Sequence, residues 1–167
     1  MLYLLDANVL IDANRDYYSL GRVPEFWDWL AFQGNAGNIK IPIETYDEIK
    51  EGNDQLATWA KDKSNEKALL LSEDVDLDVV RRVINEGYGN NLTDVEIEKL
   101  GKDPFLIAYA LIRNTERSIV TTENSRPKRQ RSNRHLPDVC LNFNISCHNT
   151  YELTRLLNFR TQWKDYL

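Results

Sequence analysis

The chain has 167 residues, of which 21 are Lys or Arg and 26 are Asp or Glu, and its net charge at pH 7 is −5. A chain of this length is expected to form one domain, large enough to bury a single sizeable core. No apolar run reaches the length of a transmembrane helix, and no basic segment precedes the first apolar stretch, so neither a membrane span nor a signal peptide is expected. We therefore expect a single domain over residues 1–167, located in the cytoplasm.

The two cysteines, Cys140 and Cys147, are too few for a disulfide scaffold. Their spacing fits no usual zinc motif, and only two histidines, His135 and His148, could complete one. Reduced thiols in a cytosolic protein are the expectation.

The basic residues are unevenly distributed, because residues 126–135 contain five Lys or Arg and no acid. Taking those five from the 21 basic residues leaves 16 against 26 acidic ones in the rest of the chain, a balance of −10. The net charge alone argues weakly against a nucleic-acid-binding protein. Residues 126–135, named the basic strip below, nevertheless concentrate positive charge on an otherwise acidic protein.

The first half of the chain predicts two short strands, each followed by helices. Leu2 to Leu5 is an apolar run that stops at Asp6, which is typical of a short buried strand. A helix rich in aromatic residues follows Pro24, and its apolar face is wide. The predicted strands are residues 2–5 and 39–41, and the predicted helices are residues 8–15, 25–32, 43–50 and 56–61.

The second half of the chain alternates helices with two further strands. Thr93 and Glu96 have the spacing of a capping box, and Asp103-Pro104 suits the start of a strongly apolar helix. The predicted helices are residues 68–71, 75–86, 95–100, 103–112, 137–141 and 150–159, and the predicted strands are residues 118–122 and 145–147. Because strands that alternate with helices form parallel sheets covered on both faces, the predicted fold class is α/β.

Acidic residues recur where the predicted strands end and the helices begin. Asp6 ends the first strand, Glu123 follows the third strand, and Asp103 opens the apolar helix. In parallel sheets, the carboxyl ends of strands and the N-termini of the following helices lie at one edge, where ligands bind. Glu48 lies in the helix after the second strand, one turn from Glu44, and could also project inward.

Carboxylates that gather at one point raise each other's pKa, unless a divalent cation compensates their charge. Oxygen ligands of this kind suit Mg²⁺ or Mn²⁺, and such sites serve phosphoryl chemistry by activating water and neutralising charge on a phosphate. The alternative, which spacing does not exclude, is that each acid caps a helix or is a solvated surface group. Asp12 and Asp16 are expected to be surface acids.

Four segments of the chain resemble, in order, the four acidic motifs of PIN-domain ribonucleases. They are residues 4–11, 41–49, 103–110 and 119–123. Residues 24–30, 54–59 and 136–140 are further similar to one PIN-like branch, the DUF4411 proteins. The resemblance implies a three-layer α/β/α sandwich with a central parallel sheet, metal-dependent cleavage of RNA and, as in many members, a toxin role opposed by an antitoxin.

The resemblance also implies Mg²⁺ or Mn²⁺ as the cofactor, with four residues as both its ligands and the catalytic groups: Asp6, Glu48, Asp103 and Glu123. Asn8 matches a polar position after the first aspartate and is expected to help bind the substrate. The chain departs from the pattern at Ala7, where many relatives have Thr or Ser, and at Glu123, where Asp is more usual.

The basic strip directly follows Glu123, and Lys128, Arg129 and Arg131 are expected to hold RNA phosphates near the metal. Two alternatives stay open, namely a solvated loop without a ligand and a docking site for an acidic segment of an antitoxin. RNA and an antitoxin protein are therefore the expected partners, a membrane is not, and a homodimer is left open.

Two other functions compete with a metal-dependent endoribonuclease. One is a non-catalytic interaction module with the same fold, which would bind a partner through the basic strip. The other is a phosphatase of the haloacid-dehalogenase type, whose chemistry needs a second aspartate two residues after the first, where this chain has Asn8. No serine or cysteine nucleophile with a nearby histidine base is evident, so covalent catalysis is not favoured.

Overall fold

A four-stranded parallel β-sheet forms the centre of the computed structural model, which describes all residues from 1 to 167. Its strands are β1 (Leu2–Leu5), β2 (Ile39–Lys40), β3 (Arg117–Val120) and β4 (Cys147–His148). Their spatial order is β2-β1-β3-β4, so the two four-residue strands occupy the middle of the sheet. Both central strands are almost wholly buried, as expected for apolar strands covered on two faces.

Ten α-helices connect and cover the strands. They are α1 (Ala7–Asp12), α2 (Pro24–Asn35), α3 (Ile43–Lys50), α4 (Gln55–Lys61), α5 (Lys63–Leu69), α6 (Leu77–Arg82), α7 (Asp94–Leu100), α8 (Asp103–Leu111), α9 (Leu136–Asn142) and α10 (Thr150–Leu156). Wider π-helical turns continue α1 over Ala13–Tyr17 and α6 over Val83–Tyr88, and 3₁₀ turns form at Arg131–Asn133 and Trp163–Tyr166. None of these helices combines the length and the apolar character needed to traverse a lipid bilayer.

The two faces of the sheet bury two separate cores, which follow the alternation of side chains along β1. Tyr3 and Leu5 pack into one core with the aromatic side chains of α2, whereas Leu4 packs into the other with α8. This division arises because successive residues of a strand point to opposite faces. Helices on both faces therefore make three layers, and the predicted α/β/α sandwich with a central parallel sheet is confirmed.

Helix α8 is apolar around most of its circumference, which is typical of a helix buried in a core. Leu106, Ile107 and Ala110 are at most 1% exposed. Asp103, the first residue of α8, is its only charged residue. Burying α8 in the core on one face of the sheet therefore carries a single carboxylate to the edge of that core.

Gly87 allows the turn after α6 to pack directly on α9. A Cβ atom at Gly87 would lie 2.7 Å from the Val139 Cγ1 atom and 3.0 Å from Phe143 Cε2, so any side chain would force the two elements apart. This close approach holds the next residue, Tyr88, in the core on the α8 side of the sheet, where it is only 3% exposed.

Several predicted boundaries differ from the structure, and three of the differences have a clear local cause. The third strand is residues 117–120 rather than 118–122, because the Thr121 hydroxyl accepts a hydrogen bond from the Glu123 N–H at 3.2 Å and turns the chain. The last strand is residues 147–148 rather than 145–147, because Ile145 N–H bonds back to the Cys140 carbonyl at the end of α9. Helix α5 begins earlier than predicted, because Asp62 caps it.

Candidate active site

Asp6 and Thr121 directly follow the two central strands and meet at the same edge of the sheet. The Thr121 hydroxyl donates a hydrogen bond of 2.8 Å to Asp6 Oδ2. In the order β2-β1-β3-β4 the direction of winding changes between β1 and β3, and open α/β sheets bind ligands beyond the carboxyl ends of the strands at such a point. Thr121 thus supplies a hydroxyl to the first aspartate, although position 7, next to Asp6, is alanine.

Asp6 is buried without a cation beside it. Its side chain is 7% exposed, and burial is the main cause that raises its carboxyl pKa, while the hydrogen bond from Thr121 partly offsets this. The charge of Glu123 raises the pKa further. The Asn8 amide approaches Asp6 Oδ2 at only 3.5 Å, at the limit of a hydrogen bond, and Asn8 itself is exposed.

Asp103 carries the most strongly perturbed carboxyl group of the site. Burial raises its pKa well above the usual range, and the charges of Asp6, Glu123 and Glu48 raise it further, in that order. The N-cap position of α8 is Lys102, and no side chain caps this helix. Asp103 therefore does not cap α8, and the structure brings the other three predicted carboxylates close enough to raise its pKa.

Glu48 and Glu44 lie one turn apart on α3 and face different surroundings. Although Glu48 is exposed, partial burial and then the charge of Asp6 raise its carboxyl pKa. The Glu44 carboxylate lies near the Tyr109 hydroxyl, whose pKa is raised to about 12 by burial and by the charge of Glu44. Glu44 Oε2 is buried without a hydrogen-bond partner, and Glu44 is not among the carboxylates whose charge raises the pKa of Asp103.

Glu123 is held in place by the helix that follows the basic strip. Its Oε2 atom accepts a 2.7 Å hydrogen bond from the Leu136 N–H, at the first residue of α9, and lies 3.8 Å from His135 Nδ1. Negative charge is favoured at a helix N-terminus because the first N–H groups lack intrahelical partners. One carboxylate oxygen of Glu123 is therefore engaged, and the other makes no hydrogen bond.

The carboxylate oxygens of the cluster are donors of the type that a hard divalent cation prefers, but they do not surround a single point. No three His, Cys, Asp or Glu side chains are arranged as a complete metal-ligand set. Mg²⁺ is commonly held by one or two carboxylates and several waters, so it does not require a dedicated protein cage. Asp6 and Asp103 are the best candidates for ligands, because burial and then the charges of neighbouring carboxylates raise the pKa of each.

The basic strip is held against the protein at its start and in its middle. The Asp138 carboxylate, 7% exposed, accepts hydrogen bonds from the Ser125 hydroxyl at 2.5 Å and from the Arg126 N–H at 2.7 Å. Arg131 forms a 2.6 Å ion pair with Glu96 on α7. The strip is thus folded against the protein by contacts that need no ligand.

The three strip residues predicted to hold phosphate differ in availability. Arg131 is engaged with Glu96, whereas Lys128 and Arg129 are exposed and form no ion pair. Arg129 alone of the three lines a pocket of about 370 Å³, which Asp103 and Glu123 also line. The structure therefore brings one of the three predicted cations, Arg129, next to the carboxylates.

Several residues of the site were not assigned a role from the sequence. Thr121 stood inside a recognised motif, but its contact with Asp6 depends on strand pairing between distant segments. Tyr88 lies beside Asp103, and its buried hydroxyl has no hydrogen bond of normal geometry. Asp138 follows Pro137 in a segment predicted only as a short helical turn, and nothing local distinguishes its buried carboxylate from a surface acid.

The fold and the site define the class of protein: an α/β/α protein with a carboxylate cluster and a basic pocket at one edge of its sheet. The chain belongs to the DUF4411 family, described as a domain of unknown function, whose family model matches residues 3–161. No curated protein and no solved structure gives a significant match.

Proposed function

We propose that the protein is a Mg²⁺- or Mn²⁺-dependent endoribonuclease of the PIN type. One observation carries the proposal: at the edge of the sheet the charges of Asp6, Glu123 and Glu48 raise the pKa of Asp103, beside a pocket with basic side chains. Ionising these groups together is unfavourable unless a cation joins them. The resemblance of the same four residues to the PIN acidic motifs supports RNA as the substrate.

In this proposal, Asp6 and Asp103 bind the cation, and Glu48 joins them from α3. A cation held there would activate water and neutralise charge on the scissile phosphate. The Thr121 hydroxyl fixes the Asp6 side chain, and the Leu136 N–H fixes Glu123. Cationic groups around the pocket offset the repulsion between a phosphate backbone and this acidic protein.

We also propose that the protein acts as the toxin of a toxin–antitoxin pair in the cytoplasm. This rests on the resemblance to PIN-domain toxins alone. An antitoxin that covers the carboxylate cluster or the basic strip would block the proposed activity, and a homodimer is compatible with it.

Cleavage assays on purified protein test the proposal. The wild type should cleave a single-stranded RNA with Mn²⁺ and lose this activity in EDTA, and Asp103→Asn should be inactive while remaining folded. Asp16→Asn is the matched control, because Asp16 is exposed and paired only with Arg15.

A small phosphomonoester, assayed in parallel, separates the rival functions. Hydrolysis of the phosphomonoester without RNA cleavage would identify a phosphatase. Absence of both activities would favour the non-catalytic module, and RNA cleavage that persists in Asp103→Asn would overturn the assignment of the site.

A further inference from the structure

The pocket beside Asp103 and Glu123 is suited in size and polarity to a small polar ligand. Its volume of about 370 Å³ lies at the lower end of the range for ligand pockets, roughly 300–1,000 Å³. Only two of its ten lining residues are hydrophobic, Tyr88 and Leu100. A pocket lined mainly by hydrogen-bonding groups favours a ligand with many donors and acceptors.

The walls of this pocket carry opposite charges. Asp103 and Glu123 supply the negative groups, and Lys99, Arg129 and Arg134 supply the positive ones. An anionic group that enters is therefore drawn away from the carboxylates and towards the basic side chains.

The cations of the pocket are not equally free. Arg134 donates to the carbonyl oxygens of Gly87 and Asp138, so its guanidinium holds the surrounding segments together. Lys99 donates to Asn133 Oδ1 at 2.6 Å, which leaves two of its three protons for a ligand. Arg129 makes no side-chain hydrogen bond and no ion pair, and a guanidinium suits two-point binding of a phosphate.

Tyr88 and His135 also line the pocket. Their buried polar atoms already face its carboxylates, because the Tyr88 hydroxyl lies beside Asp103 and His135 Nδ1 lies 3.8 Å from Glu123 Oε2. The two residues therefore offer a ligand the surfaces of their aromatic rings, on which a nucleobase can stack.

We propose that this pocket is a subsite for a single nucleotide, with its phosphate bound by Arg129 and Lys99 and its sugar or base against Tyr88 and His135. The inference rests on the proposed function in one respect, that the nucleotide is part of an RNA whose neighbouring phosphate lies at the carboxylate cluster. A nucleotide can contact both the basic residues and the aromatic rings of the lining, whereas inorganic phosphate can use only the basic residues.

Calorimetric titration in EDTA tests the subsite without any cleavage. Adenosine 5′-monophosphate should bind more tightly than either inorganic phosphate or adenosine. Arg129→Ala should weaken binding of the monophosphate roughly tenfold or more, because a hydrogen-bonded charge is lost. Arg126→Ala is the matched control, since it removes the same charge from the same strip but Arg126 does not line the pocket, and it should change affinity less than twofold.

The outcomes separate the subsite from the nuclease proposal. Equal losses in Arg129→Ala and Arg126→Ala would show diffuse attraction to the strip and overturn the subsite, as would unchanged binding in Arg129→Ala. Displacement of the monophosphate by a poly-glutamate peptide but not by RNA would also overturn it, in favour of protein docking. Arg129-dependent binding of the monophosphate, together with RNA cleavage that survives in Asp103→Asn, would retain the subsite and reject the proposed catalytic centre.

Discussion

Asp6 and Asp138 are equally buried, at 7% exposure, but they belong to regions that use a carboxylate in different ways. Asp138 has one oxygen bonded to the Ser125 hydroxyl and the other to the Arg126 N–H, so both are satisfied by fixed donors. Asp6 accepts one hydrogen bond of normal length, from Thr121, and faces further negative charge. A buried acid such as Asp138 holds a loop in place. A buried acid such as Asp6 is stabilised when it binds a proton or a cation.

Glu123 stands between these two regions. It contributes charge to the cluster, since it raises the pKa of Asp6 and Asp103, but one of its oxygens also caps α9. The carboxylate cluster and the basic strip are therefore joined at one residue, which explains why the strip begins beside the candidate active site.

The substitution Asp6→Asn is the most direct test of the difference between Asp6 and Asp138. We expect RNA cleavage to fall at least about a hundredfold, because even the loss of a group that only orients a metal ligand costs roughly 10–100-fold. The fold should persist, since the asparagine oxygen can still accept from Thr121. Single-turnover cleavage and circular dichroism on the same samples measure both effects, and near-normal cleavage by this variant would contradict a role for Asp6 as a ligand.

Glu48→Gln tests whether the cluster extends to α3. Its cleavage rate should drop by roughly 10–100-fold, because the carboxylate that faces Asp6 loses its charge. Glu44→Gln is the matched control on the same helix, and its effect should be mild because Glu44 faces Tyr109 instead. A larger loss in the Glu44 variant would show that the wrong face of α3 had been assigned to the site.

Asp138→Ala tests the structural half of the comparison. The free energy of unfolding should fall by about 1–2 kcal/mol, because the Ser125 hydroxyl and the Arg126 N–H lose their acceptors. Urea denaturation measures this change. Asp165→Ala, at an exposed aspartate without a side-chain hydrogen bond, should leave stability unaltered. If both variants were equally stable, Asp138 would not be what holds the strip.

Asp103→Asn should have the smallest but most diagnostic effect, on stability in EDTA. Burial raises the pKa of Asp103 in the folded state well above its ordinary value of about 4, so the contribution of this group to stability is present below about pH 4 and is lost as the pH rises through the folded-state pKa. The variant has no carboxylate to ionise at this position, so its Tm at pH 7 should exceed that of the wild type. Each kcal/mol of added unfolding free energy raises Tm by roughly 2–4 °C.

Two conditions act as internal controls for this thermal experiment. At pH 4 the wild type and Asp103→Asn should differ much less than at pH 7. Saturating Mn²⁺ should stabilise the wild type more than the variant, because a ligand that binds only the folded state raises its stability. A variant that is less stable than the wild type at pH 7 in EDTA would contradict the raised pKa of Asp103.

The sequence determined the parts of this protein that depend on local pattern. The apolar run of β1, the buried helix α8 with its single acid, and the capping box at Thr93 and Glu96 were all predicted, because periodicity and capping are properties of neighbouring residues. The placement of acids after strands was likewise sufficient to predict where carboxylates would gather, because parallel strands end at one edge.

Only the tertiary structure decided which groups surround each of those carboxylates. The contact between Thr121 and Asp6 joins residues 115 positions apart and exists because β1 and β3 are neighbours in the sheet. Packing between distant segments likewise decides three other features: which face of α3 meets Asp6, that Arg129 lines the pocket, and that Asp138 is buried. An aspartate in the sequence is the same whether its oxygens meet fixed N–H donors or other carboxylates, and only its neighbours in space separate the two cases.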